Sequence, residues 1–411
     1  EDLRWSNKYM LPESYHIPLI DDLFLSVASH KSKELCYTLL DLYSAYNQLW
    51  LEKDSRKYTA FMHPDQNRVL QSTRVLQGAM NSVASYQRRV AEIFQHIDPA
   101  KVLVYVDDIL LVSARDQHPQ LLRQVFQTLR KYRLKMSPKK LQLAKKSIKY
   151  MGYQLSDKGI SIDEDRIKVL QLIKPPKDLP ALRTLLGQLQ YVAKLIEGYS
   201  AITSDMRKLL KKDAIFLWGE DQQRSLDEVK NQLARRVILS HPDTSKAFRL
   251  IVDSSRRGLG HVLLQEDPKT GKYNPVAFGG RGLTEFERNK MGVSELELTG
   301  LAFALQKHRV LLNNGCTHTV ETDHLTNQFV SRLRSASSGR LARLHLLISE
   351  FKLNIVYVPG KKIGLGDLAS RVFEEEHIPV EGDEQEEQLG EVIVTALKTS
   401  VEKMLDESIK H

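Results

Sequence analysis

Cysteine is nearly absent: only Cys36 and Cys316 occur in 411 residues. Two cysteines make no disulfide framework and no Cys/His zinc cluster, so a reducing compartment is expected. Long apolar runs are missing as well. The longest, Leu103 to Val112, is broken by two aspartates, so neither a transmembrane helix nor a membrane partner is expected. No secretory leader is legible at the start. Acid is scarce in the body and crowded at the end. The formal net charge of +9 splits into −9 over residues 372–411, twelve acids against three bases, and so +18 over residues 1–371. A basic body with an acidic tail favours a polyanion partner.

What is present is enough chain for two to four domains. Arg130 to Lys149 holds nine basic residues and no acid, which points to phosphate contact, with a solvated surface as the plainer alternative. The most telling stretch is Val102-Leu-Val-Tyr-Val-Asp-Asp-Ile-Leu-Leu-Val-Ser113. Asp107 and Asp108 sit inside an apolar strand-type run, where one unpaired carboxylate is costly and two cost more. A hairpin presenting both to a divalent cation resolves that cost; an ordinary tight turn is the alternative. Roughly sixty residues upstream, Thr38-Leu-Leu-Asp-Leu-Tyr-Ser-Ala-Tyr46 ends another apolar run in Asp41. One carboxylate on a strand end and a pair on a hairpin are what two-metal phosphoryl transfer needs, because hard cations take oxygen ligands.

With Tyr105-Val-Asp-Asp108 matching Y-x-D-D and Asp41 standing ahead of it, the chain resembles the palm of a reverse transcriptase. The resemblance implies further roles. Arg4 lies in Asp2-Leu-Arg-Trp-Ser-Asn-Lys8, similar to a D-x-R-x-x-N-K fingers segment, so the fingers are expected to be incomplete at the N-terminus. Leu42 and Tyr46 follow Asp41, and a ring at Tyr46 would leave no room for a ribose 2′-hydroxyl. Gln77 and Gly78 open a turn and helix similar to the nucleotide- and template-binding segment, with Val83 where a proline is usual. Met151, Gly152 and Tyr153 resemble the primer grip. Lys57 to Phe61 reads as a strand. After Pro175, Pro176 and Pro180, the spacing of Leu182, Leu185, Leu186, Leu189, Val192, Ala193 and Ile196 predicts a helix, similar to the thumb. Arg207, Lys208, Lys211 and Lys212 would form a further basic face.

A second set of acids follows. Asp253 ends the run Ala247 to Val252, and Glu297 lies in a helical pattern, with Glu295 its rival. Asp323 ends His318-Thr-Val-Glu-Thr322, and Asp367 sits in Gly364-Leu-Gly-Asp-Leu-Ala-Ser-Arg371. This ordered Asp, Glu, Asp, Asp set resembles a ribonuclease H site. Tyr357 stands where many such enzymes carry a mobile histidine, and Ile363 replaces a usual asparagine. The short interval from Met151 to Asp253 leaves no room for a connection domain, which makes the whole similar to gypsy-type long-terminal-repeat retrotransposon enzymes.

The expected fold is α/β (α+β), a right-hand polymerase followed by ribonuclease H. Its parts are fingers and palm at 1–160, thumb at 161–240, ribonuclease H at 245–371, and an acidic linker with an amphipathic helix at 372–411. In that last part Leu389, Val392, Ile393, Ala396, Leu397, Val401, Met404 and Leu405 recur at helical spacing. The resemblance implies two Mg²⁺ per active site, with Mn²⁺ as substitute. It implies an RNA template, DNA primer, RNA/DNA hybrid and dNTPs as partners, a homodimer on substrate, an integrase neighbour through the tail, and cytoplasmic residence in virus-like particles. A non-catalytic subunit of an asymmetric dimer and a pararetroviral enzyme are the alternatives.

Overall fold

The computed structural model describes residues 3–15, 27, 34–63, 67–212, 214–256, 258–323 and 339–358. The tail expected to be linker and helix lies outside them. After a short helix, α1 (Arg4–Asn7), the first sheet is built from β1 (Leu35–Asp41), β4 (Val102–Tyr105), β5 (Asp108–Ala114) and β6 (Gln142–Lys145), in the order β4-β5-β1-β6. Both faces of this sheet are covered, which is why β1 and β5 read as nearly continuous apolar runs. One face packs on α2 (Ser82–Phe94) and α3 (His118–Lys131) through Leu40, Ile109, Leu111, Val90, Phe94 and Val125. Leu35, Tyr37, Leu110 and Val112, alternate along the strands, face the other way into a second core.

Beneath the first face lies a buried polar staple. His118 meets the Thr38 hydroxyl through Nε2 and the Ser113 hydroxyl through Nδ1, each at 2.8 Å. Burial pushes its imidazole down to about 4, so the ring is neutral.

The expected strand over Lys57 to Phe61 does not form. Lys57–Thr59 is a 3₁₀ turn, closed by the Thr59 hydroxyl donating to the Arg56 carbonyl at 2.7 Å, and only β2 (Phe61–Met62) is extended, paired with β3 (Val69–Leu70). Local side-chain capping wins here over β-type composition.

Next come β7 (Ser147–Tyr150), β8 (Tyr153–Ser156) and β9 (Gly159–Ile162), a three-stranded antiparallel sheet. From Glu164 to Ala234 only helices occur among the described residues: α4 (Glu164–Gln171), α5 (Leu179–Val192), α6 (Tyr199–Ile202), α7 (Ser204–Lys208) and α8 (Glu220–Ala234). Asp178 caps α5, accepting from the Ala181 N–H at 2.8 Å, and Pro180 sits in its first turn, where no N–H is needed. The predicted leucines line its buried face. The helix stops at Val192, one residue before the predicted Ala193, which opens a 3₁₀ turn.

The last sheet is β12 (Tyr273–Arg281), β11 (Gly258–Glu266), β10 (Arg249–Ser255), β13 (His318–Thr322) and β14 (Leu353–Tyr357) in that spatial order. β12, β11 and β10 run antiparallel, while β13 and β14 join β10 in parallel. Leu250 and Val252 face α9 (Val293–Lys307), whereas Ile251, Val262, Leu264 and Phe278 join the core of the preceding helices. The period of two in β10 thus ties this sheet to both neighbours.

Candidate active sites

β1 and β5 pair antiparallel so that Asp41 stands directly across from Asp108. β4 and β5 form a two-residue hairpin, Tyr105 opposite Asp108, with Val106 and Asp107 at its tip. Backbone pairing alone therefore gathers the three predicted acids at one sheet end. Val106 has φ +50°, an uncommon conformation that costs a β-branched residue of order 1–3 kcal/mol. Gln87 holds it there: its amide donates to the Val104 carbonyl at 2.8 Å and accepts from the Val106 N–H at 2.7 Å. Leu42, buried beside Asp41, closes the other side, its N–H donating to the Asp107 carbonyl at 3.2 Å.

Burial raises the Asp107 carboxyl, Asp41 adds to the effect, and Lys140 opposes it. Asp108 is raised by burial, then by Asp41 and Asp107. Asp107 Oδ1 is buried without a hydrogen-bond partner. Lys140 reaches Asp41 Oδ2 at 2.9 Å. Two exposed members of the basic stretch thus pair with acids, since Lys149 meets Asp163 at 2.8 Å and Asp165 at 2.6 Å. Gln87 carried no role in the sequence reading, and Lys140 was read there only as part of a phosphate-contacting stretch. The signal for Gln87 is a polar residue on the buried face of α2, next to Tyr86 and Val90.

The substrate-side candidates surround this end. Tyr46 lies in a 3₁₀ turn just past β1, its ring 5.0 Å from that of Tyr86; burial and then the Asp107 charge raise its phenol. Gln77 and Gly78 are exposed on a turn with φ +95° at Gly78. Asn7, three residues after Arg4, donates to the Gly78 carbonyl at 3.0 Å and accepts from the Met80 N–H at 2.9 Å, so the α1 segment docks on that turn. Met151 and Gly152 form the two-residue turn between β7 and β8, both at positive φ (51° and 72°), as hairpins of this length favour. Tyr153 is buried beside it.

In the second cluster Asp253 lies near the end of β10 and Asp323 directly after β13, its parallel neighbour. Glu297 projects from α9, which packs across them. Burial raises the Asp253 carboxyl, with Asp323 adding to it. Burial, then Asp323 and Asp253, push Glu297 up to about 8, and its Oε2 is buried without a partner. Glu295 is otherwise engaged: it pairs with Arg340 at 2.9 Å and accepts from the Gly292 N–H at the helix start. The geometry therefore groups Glu297, not Glu295, with the aspartates. Tyr357 stands across from Thr322 at the strand end beside Asp323 and is 45% exposed. Asp367 lies outside the described residues.

Among the described residues no three His, Cys, Asp or Glu side chains are gathered closely enough to hold a metal ion. At the first cluster the Asp41 carboxylate is drawn to Lys140. The donor chemistry still fits a hard cation: oxygen ligands only, acids that raise one another, and an orphaned buried oxygen at each cluster.

Residues 1–155 match the family of reverse transcriptases (RNA-dependent DNA polymerases), and residues 218–320 match the RNase H-like domain found in reverse transcriptase. The chain is 29% identical over 372 residues to the retrovirus-related Pol polyprotein from transposon 412 of Drosophila melanogaster, covering 90% of this chain and 29% of that protein. It is 30% identical over 394 residues to the transposon Tf2-3 polyprotein of Schizosaccharomyces pombe, covering 93% and 28%. The chain thus spans less than a third of these relatives. Among solved structures, the foamy viral protease-reverse transcriptase in complex with RNA/DNA hybrid superposes with a TM-score of 0.68 at 21% identity, over 93% of this chain and 50% of that one. A form of it in complex with double-stranded DNA gives 0.71 at 22%, over 87% and 62%. These two likenesses establish the fold. Domains of both matched kinds generally depend on divalent metal ions.

Proposed function

We propose that this chain, a reverse transcriptase domain followed by an RNase H-like domain, copies RNA and DNA templates into DNA and cuts the RNA strand of the hybrid it makes, for a gypsy-type long-terminal-repeat retrotransposon. The observation that carries the reading is the cross-strand pair Asp41–Asp108 with Asp107 on the hairpin tip. Asp41, Asp107 and Asp108 would hold Mg²⁺, or Mn²⁺ in its place, at the first site, and Asp253, Glu297, Asp323 and Asp367 at the second. Two such ions per site, when bound, neutralise charge on the attacking and leaving oxygens.

The chain's own residues do the positioning. Gln87 and Leu42 hold the hairpin tip so that Asp107 and Asp108 face the Asp41 strand end. Tyr46, braced by Tyr86, stands beside Asp107, where its ring leaves no space for a 2′-hydroxyl. The Met151–Gly152 turn presents backbone to the primer end, and the Gln77–Gly78 turn, docked by Asn7, faces template and incoming nucleotide. At the second site Glu297 closes the gap between Asp253 and Asp323 from the helix side, and Tyr357 lies at its open edge. Support for nucleic-acid partners comes from the polyanion-seeking charge of residues 1–371 and from the complexes of the structural neighbours. The division into fingers and palm, thumb and ribonuclease H, a homodimer on substrate, an integrase neighbour, and residence in virus-like particles belong to the same proposal.

The test is one hybrid carrying a labelled DNA primer and a differently labelled RNA template, with Mg²⁺ and four dNTPs. Primer extension accompanied by RNA cleavage is the expected result. A chain that binds the hybrid and performs neither overturns the reading in favour of a scaffold.

A further inference from the structure

The turn at Met151 and Gly152 is fastened to helix α5 by a layered stack. The Tyr153 and Tyr191 rings lie 5.0 Å apart at 26°. The Arg166 guanidinium covers the outer face of Tyr191 at 4.3 Å, and the Lys194 ammonium lies 4.3 Å from the Tyr153 ring. The Tyr153 hydroxyl donates to the Tyr191 carbonyl at 2.6 Å. Tyr191 also touches the turn itself: a Cβ on Gly152 would lie 3.2 Å from the Tyr191 hydroxyl and 3.3 Å from Arg166 Cδ. On its far side Tyr191 shares the wall of a cavity of about 690 Å³ with Tyr153 and with Tyr105, the first residue of the acid-bearing hairpin motif. Cation–ring contacts of this kind contribute of order 0.5–2 kcal/mol each, and stacked rings about 0.5–1.5.

The turn's own conformation suits a two-residue hairpin, but that does not fix where the hairpin lies relative to the acids. The β7–β8 hairpin is a separate sheet from the one that carries Asp107 and Asp108. The two sheets touch directly, the Tyr37 hydroxyl of β1 donating to the Ser156 carbonyl of β8 at 3.0 Å, and at the turn end Tyr191 lies against the turn and shares a cavity wall with Tyr105. We propose that Tyr191 is a positioning residue for polymerisation. From helix α5 it fixes the Met151–Gly152 turn relative to the Tyr105 hairpin, and with it where the primer 3′-hydroxyl meets the carboxylates. This rests on the polymerase reading above. It assigns Tyr191 no contact with nucleotide.

Single-nucleotide incorporation measured as a pre-steady-state burst reads the two quantities that separate positioning from folding. For Tyr191→Leu the burst rate falls about 10- to 100-fold, because misplacement of about 1 Å is that costly. The burst amplitude and the RNA-cleavage rate stay within about twofold of wild type. Tyr191→Phe, which keeps the stack and the carbonyl acceptor, restores most of the rate. Gly152→Ala slows the wild-type burst, and its penalty shrinks in a Tyr191→Phe background, where the hydroxyl 3.2 Å from the new methyl is gone. An unchanged burst rate in Tyr191→Leu overturns the proposal. So do amplitude and RNA cleavage falling in parallel, the signature of lost folding, or equal Gly152→Ala penalties in both backgrounds. A wild-type chain with no burst overturns the polymerase reading itself, and this proposal with it.

Discussion

The two acid clusters are assembled in opposite ways. In the first, the β1–β5 register and a two-residue hairpin bring Asp41, Asp107 and Asp108 together, and Lys140 already sits on Asp41 at 2.9 Å. In the second, Asp253 and Asp323 come from neighbouring parallel strand ends and Glu297 from a helix laid across them. No cation is among the groups that shift Asp253 or Glu297; only burial and like charge push them up, Glu297 to about 8. The same donor chemistry can therefore be stored in two forms. One has a lysine opposing the upward push on Asp107 and Asp108; the other has no cation beside it among the described residues, and its Glu297 is pushed up to about 8.

The largest expected effects would break the comparison outright. Asp107→Asn is expected to lower primer extension by at least about a thousandfold and leave hybrid cleavage within about twofold. Asp253→Asn is expected to do the reverse. A dual-labelled hybrid assay checks both, and parallel loss of the two activities in either variant would count against separate sites. Next comes Gln87→Leu. It abandons the two hydrogen bonds that hold Val106 at φ +50°, so extension should fall roughly 10- to 100-fold while cleavage persists. Single-turnover extension measures it, and an undiminished rate would mean the hairpin tip holds itself.

Smaller effects sharpen the contrast. His118 is neutral when folded, with its pKa lowered to about 4 from 6.5. The unfolded chain binds the extra proton first, so stability is full above about 6.5 and falls as pH drops toward 4, by up to about 3 kcal/mol. Chemical denaturation of wild type and His118→Gln across this window should show a flatter profile for the variant; matching profiles would remove His118 as the cause. Smallest is Lys140→Met. It makes the first cluster resemble the second, so Mg²⁺ should raise Tm more in the variant than in wild type. Equal Mg²⁺-induced shifts would mean that Lys140 does not compete for the acids.

Much of this was legible in the chain. Asp41, Asp107 and Asp108 were readable because acids inside apolar runs are conspicuous, and the helix over Leu182 to Val192 because its leucines keep period with Asp178 and Pro180 at its start. Gln87 was not: its partners are backbone groups of a strand 17–19 residues away. Lys140 and Lys149 were read as phosphate contacts because charge counting cannot see Asp41 or Asp163 approaching from elsewhere. The strand expected at Lys57 to Phe61 failed because Thr59 caps a local turn. Glu297 was preferred to Glu295 on its position along the helix, and Arg340, 45 residues on, occupies Glu295. The covering of both faces of β10 is likewise a property of packing; its apolar pattern shows only that the strand is buried.

The most direct test of the account is Mg²⁺-linked proton release at pH 7, followed in weakly buffered solution without nucleic acid. Wild type is expected to release protons as Mg²⁺ is added, Asp107→Asn to retain most of that release, and Glu297→Gln to lose most of it, because Glu297 carries a proton only until a cation replaces it. Absence of release from wild type, or undiminished release from Glu297→Gln, would contradict the account.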